Sequence, residues 1–476
     1  MQRPRALLWA ILGLAALLRG VPALRRPLQV DEAYTLHVAA LPIAQIMHVL
    51  REIDVHPPLF ALLLHWLVGA GVPDAAIRLL MAALGVGSVA LVYAVVRIWH
   101  TDRAALIAAL CAAVMPSLIF YDVTIRMYGL FDCLALGSFA VLSLLYARDD
   151  LAVPSRRLLW TSWTLIAALL LYTQYLGFMV IAAQLLYAAL ARRDGLVRSL
   201  AGAAGACVLW LPQLGTFLYQ LPSGGMAFPF YAQHELSALY ELVGQSTIAV
   251  QTHGAAYFVG WTSLIAWLWL AAALLLALPK NGRALSVWLC GPALITLLYG
   301  AIAHKLLYVD RYYLLLALGM STLSGIGAER LLARYGNTAV VGWAAAIALG
   351  AFGCMYAFNP SYYTADWPAV AGLFRARAQP SDLIIFDQGS PFFALDRMGA
   401  LQHHPVILVF RRRDVQTAIR LSRPFRRVWL VLFQSGPVDR NADVLHGLAS
   451  RYTLAGYWEF FRRLPAEGAS IVFFER

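Results

Sequence analysis

The sequence predicts an α-helical polytopic membrane protein with about eleven transmembrane helices and a small C-terminal α/β domain. The first observation is the composition: of 476 residues, 61% are hydrophobic and only 13% are charged, and the mean hydropathy is +0.68. A soluble domain of this length cannot bury so many apolar side chains. The second observation is that apolar runs of spanning length recur as far as residue 357 and then stop. The five cysteines all lie within such runs, so an ordinary soluble enzyme, a disordered chain and a disulfide scaffold are all excluded.

Eleven apolar runs are long enough to cross a bilayer, because a spanning helix needs about 20 residues. They lie at 6–24, 77–98, 104–120, 129–147, 158–172, 176–191, 199–216, 257–279, 284–303, 311–328 and 338–357. The first run follows two arginines and resembles a signal peptide. Arg19 interrupts its end and no cleavage site follows, so we interpret the run as an uncleaved anchor.

Basic residues orient the chain in the membrane. When the N-terminus lies in the cytoplasm and the short run 58–72 lies in the outer interface, the Lys- and Arg-rich loops all fall on the cytoplasmic side. The outside loop 217–256 then holds no Lys or Arg. If 58–72 crossed the bilayer, this pattern would invert. We therefore predict a membrane domain over residues 1–358, whose first outside loop is 25–76, and an outside C-terminus.

The C-terminal region, residues 359–476, has the pattern of a small α/β domain. Four short apolar runs predict buried strands, and helical stretches alternate with them. The strands are expected at 382–387, 405–410, 427–432 and 470–474, and the helices at about 367–378, 414–422 and 441–450. An excess of arginine here suits an anionic membrane surface, although a solvated basic face explains it equally well. No basic patch with interleaved aromatic residues is present, so nucleic acid is not an expected partner. We interpret Trp367 as an interfacial anchor.

Polar residues cluster at the outside ends of the predicted helices. Polar side chains in or near the bilayer are costly in free energy, so each of them calls for an explanation. The acidic pair Asp31 and Glu32 follows the first span. The two adjacent carboxylates suit a general base and its support. An acidic pair at the start of a helix is the alternative interpretation.

Four further residues on the same side have the chemistry of an anion site. Asp54 and His56 lie in the first outside loop, just before the run 58–72. His56 suits a hydrogen bond to an anion or a carboxylate, and the alternative is that it caps a proline-stiffened helix. Arg126 and Arg311 are natural phosphate ligands. Snorkelling of Arg126 to lipid headgroups, and an ion pair of Arg311 with the preceding aspartate, are the alternatives. Together, these groups predict transfer of a group from a phospholipid-like donor, with the carboxylate taking a proton and the cations stabilising the departing phosphate.

These motifs, in this order, resemble those of the integral-membrane GT-C glycosyltransferases, in the bacterial branch of the protein O-mannosyltransferase and aminoarabinose-transferase group. The resemblance covers residues 1–370 by motif. It rests on Asp31-Glu32, His56-Pro57-Pro58-Leu59, Arg126-Met127-Tyr128, Tyr172-Thr173-Gln174-Tyr175, Asp310-Arg311-Tyr312 and Asp366-Trp367. At Gln174 the chain departs from the many relatives that have histidine there.

The resemblance implies a GT-C fold and a polyprenyl-phosphate-linked sugar as donor, used on the periplasmic face of the bacterial inner membrane, usually with inversion. It implies that Asp31 is the general base and that Glu32 supports it. It places His56, Arg126 and Arg311 at the lipid-phosphate site, and Tyr128 and Tyr175 around the sugar. Asp54, beside His56 in the chain, is a further candidate substrate-binding residue. The acceptor would be a lipid, a glycan or a protein. No cofactor is expected, since the residues do not assemble a convincing Zn or Mg ligand set.

Two other classes of function compete with an enzyme. A transporter or flippase of a lipid-linked or anionic solute would also have many spans, but it would place polar groups near the bilayer midplane. Here the spans are largely free of charge, with Asp132 as the main exception. A non-catalytic envelope scaffold is the third alternative. The clustering of acidic and basic groups at one face favours the enzyme.

Overall fold

The computed structural model shows a helical membrane part followed by a small mixed-sheet domain. It describes residues 2–54, 56–148, 152–191, 193–221, 236–248, 256–277, 282–302, 310–336, 366–433, 439, 442–460 and 469–476. The predicted span 338–357 and the predicted domain boundary at 358 lie outside the described residues.

The membrane part consists of fifteen helices within the described ranges. These are α1 Gln2–Arg25, α2 Val30–Ala39, α3 Ile43–Glu52, α4 Leu59–Gly69, α5 Asp74–Trp99, α6 Asp102–Val114, α7 Pro116–Asp122, α8 Tyr128–Ala147, α9 Val153–Thr173, α10 Gly177–Ala191, α11 Arg193–Gln220, α12 Leu236–Gln245, α13 Ala256–Ala277, α14 Gly282–Ile302 and α15 Leu314–Tyr335. Every predicted run that falls in the described residues is helical. One large apolar cluster joins α5, α6, α8 and α15 at the centre of the bundle.

Five helices in the described part of the chain are long and apolar enough to cross a membrane by themselves, and six if one bent pair counts as a single span. Shorter apolar helices include α4, α10 and part of α13. The total of eleven spans therefore remains a prediction. Helix α4 has 11 residues, about 16 Å at 1.5 Å per residue, which is too short for a hydrocarbon core of about 30 Å. That length agrees with the interfacial placement expected for 58–72.

The predicted continuous span 104–120 is wrong in one respect, because α6 and α7 meet at a bend of 62°. Pro116 begins α7 and has no backbone N–H, so the helical hydrogen-bond ladder is interrupted there. The buried Arg19 of α1 donates to the backbone oxygens of Ala113 at 2.9 Å and Ala112 at 3.3 Å. Its Nε also donates to Asp122 at 2.7 Å. Arg19 thus satisfies carbonyl groups that the break exposes, and Asp122 balances its charge.

The C-terminal domain has a five-stranded sheet in the order β2-β1-β3-β5-β4. Its strands are β1 Leu383–Phe386, β2 Val406–Leu408, β3 Arg427–Leu432, β4 Thr453–Phe460 and β5 Ala469–Glu475. Its helices are α16 Trp367–Arg377, α17 Pro391–Arg397, α18 Asp414–Leu421 and α19 Asp443–Ala449. Strands β2, β1 and β3 are parallel, whereas β5 and β4 are antiparallel. The four predicted strands and three predicted helices are confirmed, and α17 and β4 are additions.

The C-terminal domain packs directly on the first outside loop. Ala33 of α2 belongs to the apolar core of this domain, and the ring of Phe393 in α17 lies 5.2 Å from the ring of Tyr34. Arg397 of α17 forms two hydrogen bonds with Asp74 at the start of α5. The interfacial role expected for Trp367 is wrong, because this side chain is buried in the core of the domain. The domain and helix α2 therefore lie on the same face of the protein.

Candidate active site

The two carboxylates of the acidic pair lie in opposite surroundings on helix α2. Asp31 is exposed, whereas Glu32 is 1% exposed. Adjacent residues on an α-helix point about 100° apart, so one of the pair faces the protein when the other faces outward. Only Asp31 is accessible to a substrate in this arrangement.

Glu32 is held by four hydrogen bonds that use both oxygens of its carboxylate. Arg78 of α5 donates to Oε1 at 3.0 Å and to Oε2 at 2.5 Å. The backbone N–H groups of Gln29 and Ile125 donate at 2.9 Å each. Burial alone would raise the pKa of Glu32, but the neighbouring Arg78 guanidinium holds that pKa below its ordinary value. Glu32 therefore ties α2 to α5 and to the loop that precedes α8.

Arg78 is a residue of this site that the sequence interpretation missed. Its guanidinium also donates to the backbone oxygens of Arg26 and Pro27, so it closes the turn between α1 and α2. An arginine at the second position of the predicted span 77–98 is the signal that was available. A charge at that depth calls for a partner, and the partner is Glu32.

A small cavity lies between α2, α3, α4 and the loop before α8. Its polar lining comes from Thr35, Asp54, His56, Arg126 and Thr173. The His56 ring Nδ1 is hydrogen-bonded to the Asp54 carboxylate, and both side chains are about 15% exposed. The structure thus brings together three of the predicted substrate-binding residues from two segments that are 70 residues apart in the chain.

Arg126 is the cationic centre of this cavity. Its Nη1 donates to the hydroxyl of Thr35 at 2.8 Å, and its Nε has no hydrogen-bond partner among the described residues. Burial alone would lower the pKa of Arg126, but Tyr128, Asp31 and Asp54 outweigh it and raise that pKa above its ordinary value. Arg126 therefore stays charged and keeps a donor for a ligand.

Arg311 brings a second positive charge close to Arg126. It lies in a 3₁₀ helix, Asp310–Tyr312, immediately before α15. Its charge acts on both Arg126 and Tyr128. Two guanidinium groups that repel each other across a partly enclosed site are stabilised by a shared anion. Asp31, Asp54, Arg126, Tyr128 and Arg311 therefore form one electrostatic cluster, as the sequence predicts.

Tyr175 supports the cavity from the side and does not point a free hydroxyl into it. Its hydroxyl donates to Gln220 Oε1 at 2.8 Å. Gln220 in turn donates to the backbone oxygens of Leu50 at 2.7 Å and Asp54 at 3.2 Å. Burial raises the pKa of Tyr175. The residue thus fixes the end of α3 and the segment that carries Asp54.

Metal ligands are not grouped in the part of the chain that the structure describes, where no three His, Cys, Asp or Glu residues could hold one ion. The absence of a cofactor remains a prediction. The buried acid Asp132 lies near Asp122 and does not line the cavity.

The chain shares its fold with solved transferases. The apo structure of ArnT, an aminoarabinose transferase, from Cupriavidus metallidurans is 15% identical, with 98% of this chain and 97% of that chain covered and a TM-score of 0.63. ArnT bound to undecaprenyl phosphate is 14% identical with the same coverage and a TM-score of 0.58. The Archaeoglobus fulgidus oligosaccharyltransferase in complex with Zn and sulfate is 13% identical over 94% of this chain and 71% of that chain, with a TM-score of 0.57. The GT-C fold implied by the resemblance is confirmed.

A family profile described as dolichyl-phosphate-mannose-protein mannosyltransferase matches residues 55–214. That segment contains His56, Arg126, Tyr128 and Tyr175, whereas Asp31 and Arg311 lie outside it. No curated protein matches this chain in sequence. None of these matches supports the transporter alternative.

Proposed function

We propose that this protein is a glycosyltransferase that moves a sugar from a polyprenyl-phosphate-linked donor to an acceptor in the bacterial cell envelope. The observation that carries the proposal is the cavity lined by Arg126, Asp54 and His56, with the charge of Arg311 close enough to act on Arg126 and with Asp31 exposed nearby. Two cations suit a lipid-linked phosphate, and an exposed carboxylate suits proton removal. The shared fold with ArnT bound to undecaprenyl phosphate supports the same donor class.

The proposed reaction is a single displacement at the anomeric carbon of the sugar. Asp31 takes the proton from the acceptor hydroxyl or amine as that atom bonds to the anomeric carbon. The bond from this carbon to the phosphate oxygen breaks, and the electron pair leaves with the lipid phosphate. Arg126 and Arg311 stabilise the negative charge on the departing phosphate. Since the acceptor attacks opposite the leaving group, the anomeric configuration inverts.

The remaining site residues bind or position the donor in this proposal. His56, oriented by Asp54, hydrogen-bonds the phosphate or a sugar hydroxyl, and Tyr128 lies beside Arg126 at the sugar. Tyr175 shapes the sugar pocket through its bond to Gln220. Glu32 supports Asp31 as a positioning residue, because its hydrogen bonds fix both α2 and the loop that carries Arg126.

In this proposal the active site and the C-terminal domain lie on the periplasmic face of the bacterial inner membrane. The absence of Lys and Arg from 217–256 and the basic loops on the other side support this orientation. The contact of α17 with α2 supports a common face for the domain and the site. Membrane lipids are then constant partners, and the acceptor is a lipid, a glycan or a protein of the envelope.

Release of lipid phosphate tests the proposed reaction. Protein in lipid nanodiscs is incubated with polyprenyl phosphates that carry different hexoses or pentoses, together with envelope acceptors, and the free polyprenyl phosphate is quantified. We expect release from one donor class, which also identifies the sugar. In Arg126→Gln, we expect the KM for that donor to rise about 10- to 100-fold, since a hydrogen bond to a charged group is lost.

An unchanged KM in Arg126→Gln would remove this arginine from the donor site. If folded wild-type protein releases no lipid phosphate with any combination of donor and acceptor, the proposed transfer reaction is wrong. Uptake of the same lipids in sealed vesicles then tests for transport.

A further inference from the structure

Tyr34 occupies a position in this site that the proposed mechanism leaves unused. It follows Asp31 by three residues on α2, so the two side chains lie on the same side of that helix. Its ring packs with Val38, Leu50 and their neighbours. The ring of Phe393 from the C-terminal domain meets it edge to face, with centroids 5.2 Å apart and planes at 72°. Contacts on both sides hold the Tyr34 ring in one orientation.

The hydroxyl of Tyr34 is buried without a hydrogen-bond partner among the described residues. A buried polar group without a partner is costly, so each such group calls for an explanation. Burial and then the Asp54 carboxylate raise the pKa of this hydroxyl, whereas Arg126 lowers it. The group therefore remains protonated near neutral pH and is able both to donate and to accept a hydrogen bond.

The neighbours of Tyr34 define which part of a donor would meet its hydroxyl. Asp31, one turn away, marks the side from which the acceptor approaches, and Arg126 marks the side of the phosphate. The transferred sugar must lie between these two sides, because its anomeric carbon loses its bond to the phosphate oxygen and gains a bond to the acceptor. We propose that the Tyr34 hydroxyl, together with Asp54, hydrogen-bonds a hydroxyl of the transferred sugar and so helps to select it.

This assignment rests on the proposed function and adds a sugar-binding residue to it. A sugar hydroxyl both donates and accepts, so it can donate to the Asp54 carboxylate while it accepts from Tyr34. Phe393 holds the Tyr34 ring, which reduces the freedom that Tyr34 would lose when it binds the sugar. The C-terminal domain would thus contribute to sugar recognition through a positioning contact and not by touching the sugar.

Comparison of two ligands separates a sugar contact from a phosphate contact. Affinities of nanodisc-embedded protein are measured for undecaprenyl phosphate alone and for the sugar-loaded donor selected in the release assay. In Tyr34→Phe we expect the sugar-loaded donor to bind about tenfold more weakly, because one hydrogen bond is lost and a sugar hydroxyl is left without it. We expect the affinity for undecaprenyl phosphate to stay unchanged.

The matched control is Tyr457→Phe, which removes the hydroxyl of an exposed tyrosine in β4 whose hydrogen bonds to described residues all lie within its own sheet. This variant should bind both ligands like the wild type. Equal weakening of both ligands in Tyr34→Phe would assign the hydroxyl to the phosphate and overturn the inference. Unchanged binding of both would overturn it as well, while leaving the proposed function intact. If the wild type binds neither ligand, both the proposed function and the inference fail.

Discussion

Asp31 and Glu32 are neighbours in the chain, and the fold separates their roles. Glu32 is enclosed by Arg78 and two backbone N–H groups, whereas Asp31 remains exposed beside Arg126. A buried, fully hydrogen-bonded carboxylate is a poor proton acceptor, because protonation would break its contacts with Arg78. Asp31 is therefore available for proton transfer, whereas Glu32 stabilises the structure around it.

Removal of the charge on Glu32 should destabilise the protein near neutral pH. Since Glu32 titrates below its ordinary pKa of 4.5 in the folded state, its contribution is fully present above that pH and is lost as the pH falls through the folded-state pKa. We expect Glu32→Gln to lower the free energy of unfolding by about 3 kcal/mol near neutrality, because Arg78 is left buried without its counter-charge. The deficit relative to wild type should shrink in acid.

Thermal unfolding in detergent across a pH series measures this difference. Glu475→Gln is the control, because it removes a carboxylate that also faces an arginine, Arg427 at 3.6 Å, but is 48% exposed. The Tm of this variant should follow that of the wild type. A Glu32→Gln deficit that is absent near neutrality, or that grows as the pH falls, would contradict the structural role given to Glu32.

The sequence predicted which polar residues would meet, but it did not predict how each would be used. The clustering of Asp54, His56 and Arg126 followed from their shared outside placement. Whether a hydroxyl or carboxylate is already satisfied depends on contacts between distant segments, such as Tyr175 with Gln220 and Glu32 with Arg78. Hydrophobic periodicity contains no information about those pairs.

Helix boundaries followed the apolar runs closely, and the exceptions have local causes. The span predicted at 104–120 is broken because Pro116 cannot continue the ladder of hydrogen bonds, and Arg19 satisfies the exposed carbonyls. Strand β4 was missed because it is an edge strand with mostly exposed side chains, and a register shift interrupts it between Leu454 and Gly456. Gly456 and Glu459 also interrupt its apolar residues, so they form no continuous run.

Close packing of α15 on α6 positions Arg311, which immediately precedes α15. A Cβ atom added at Gly325 would lie 2.3 Å from the backbone oxygen of Ala104 and 2.7 Å from Cβ of Ala108. Because a backbone oxygen cannot rotate away, Gly325→Ala must push the two helices apart. We expect this substitution to cost about 1–3 kcal/mol of stability and to weaken donor binding through Arg311.

The control for this packing is Gly137→Ala in α8, where an added Cβ meets nothing within 4 Å. Alanine favours a helix over glycine, so this variant should be neutral or slightly more stable. Thermal unfolding and the KM for the donor are measured for both variants. A Gly325→Ala protein as stable and active as Gly137→Ala would show that the close contact between α6 and α15 is not required.

The membrane bundle and the C-terminal sheet domain meet at helix α2. Thr35 of α2 lines the cavity, and Tyr34 and His37 of the same helix pack against Phe393 of α17. The bidentate contact of Arg397 with Asp74 lies one turn of α5 away from Arg78. The C-terminal domain therefore contacts the same two helices, α2 and α5, that carry Glu32 and its partner Arg78.

The architecture as a class was predictable from the sequence, because composition and apolar runs indicate a bundle and alternating short elements indicate a sheet domain. The attachment of that domain to α2 was not predictable. It depends on α17, a seven-residue helix whose Phe393 contacts the rings of Tyr34 and His37 and whose Arg397 bonds to Asp74. Short contacts between distant segments leave no periodic pattern in a sequence.

The central claim is that Asp31 supplies the base for transfer of a sugar from a polyprenyl phosphate. The most direct test is the rate of lipid-phosphate release at saturating donor and acceptor in Asp31→Asn, measured with the affinity for undecaprenyl phosphate. We predict that the rate falls by about 10²- to 10⁴-fold, as expected for loss of a general base, while that affinity stays close to the wild-type value. Wild-type turnover in a folded Asp31→Asn protein would contradict the claim.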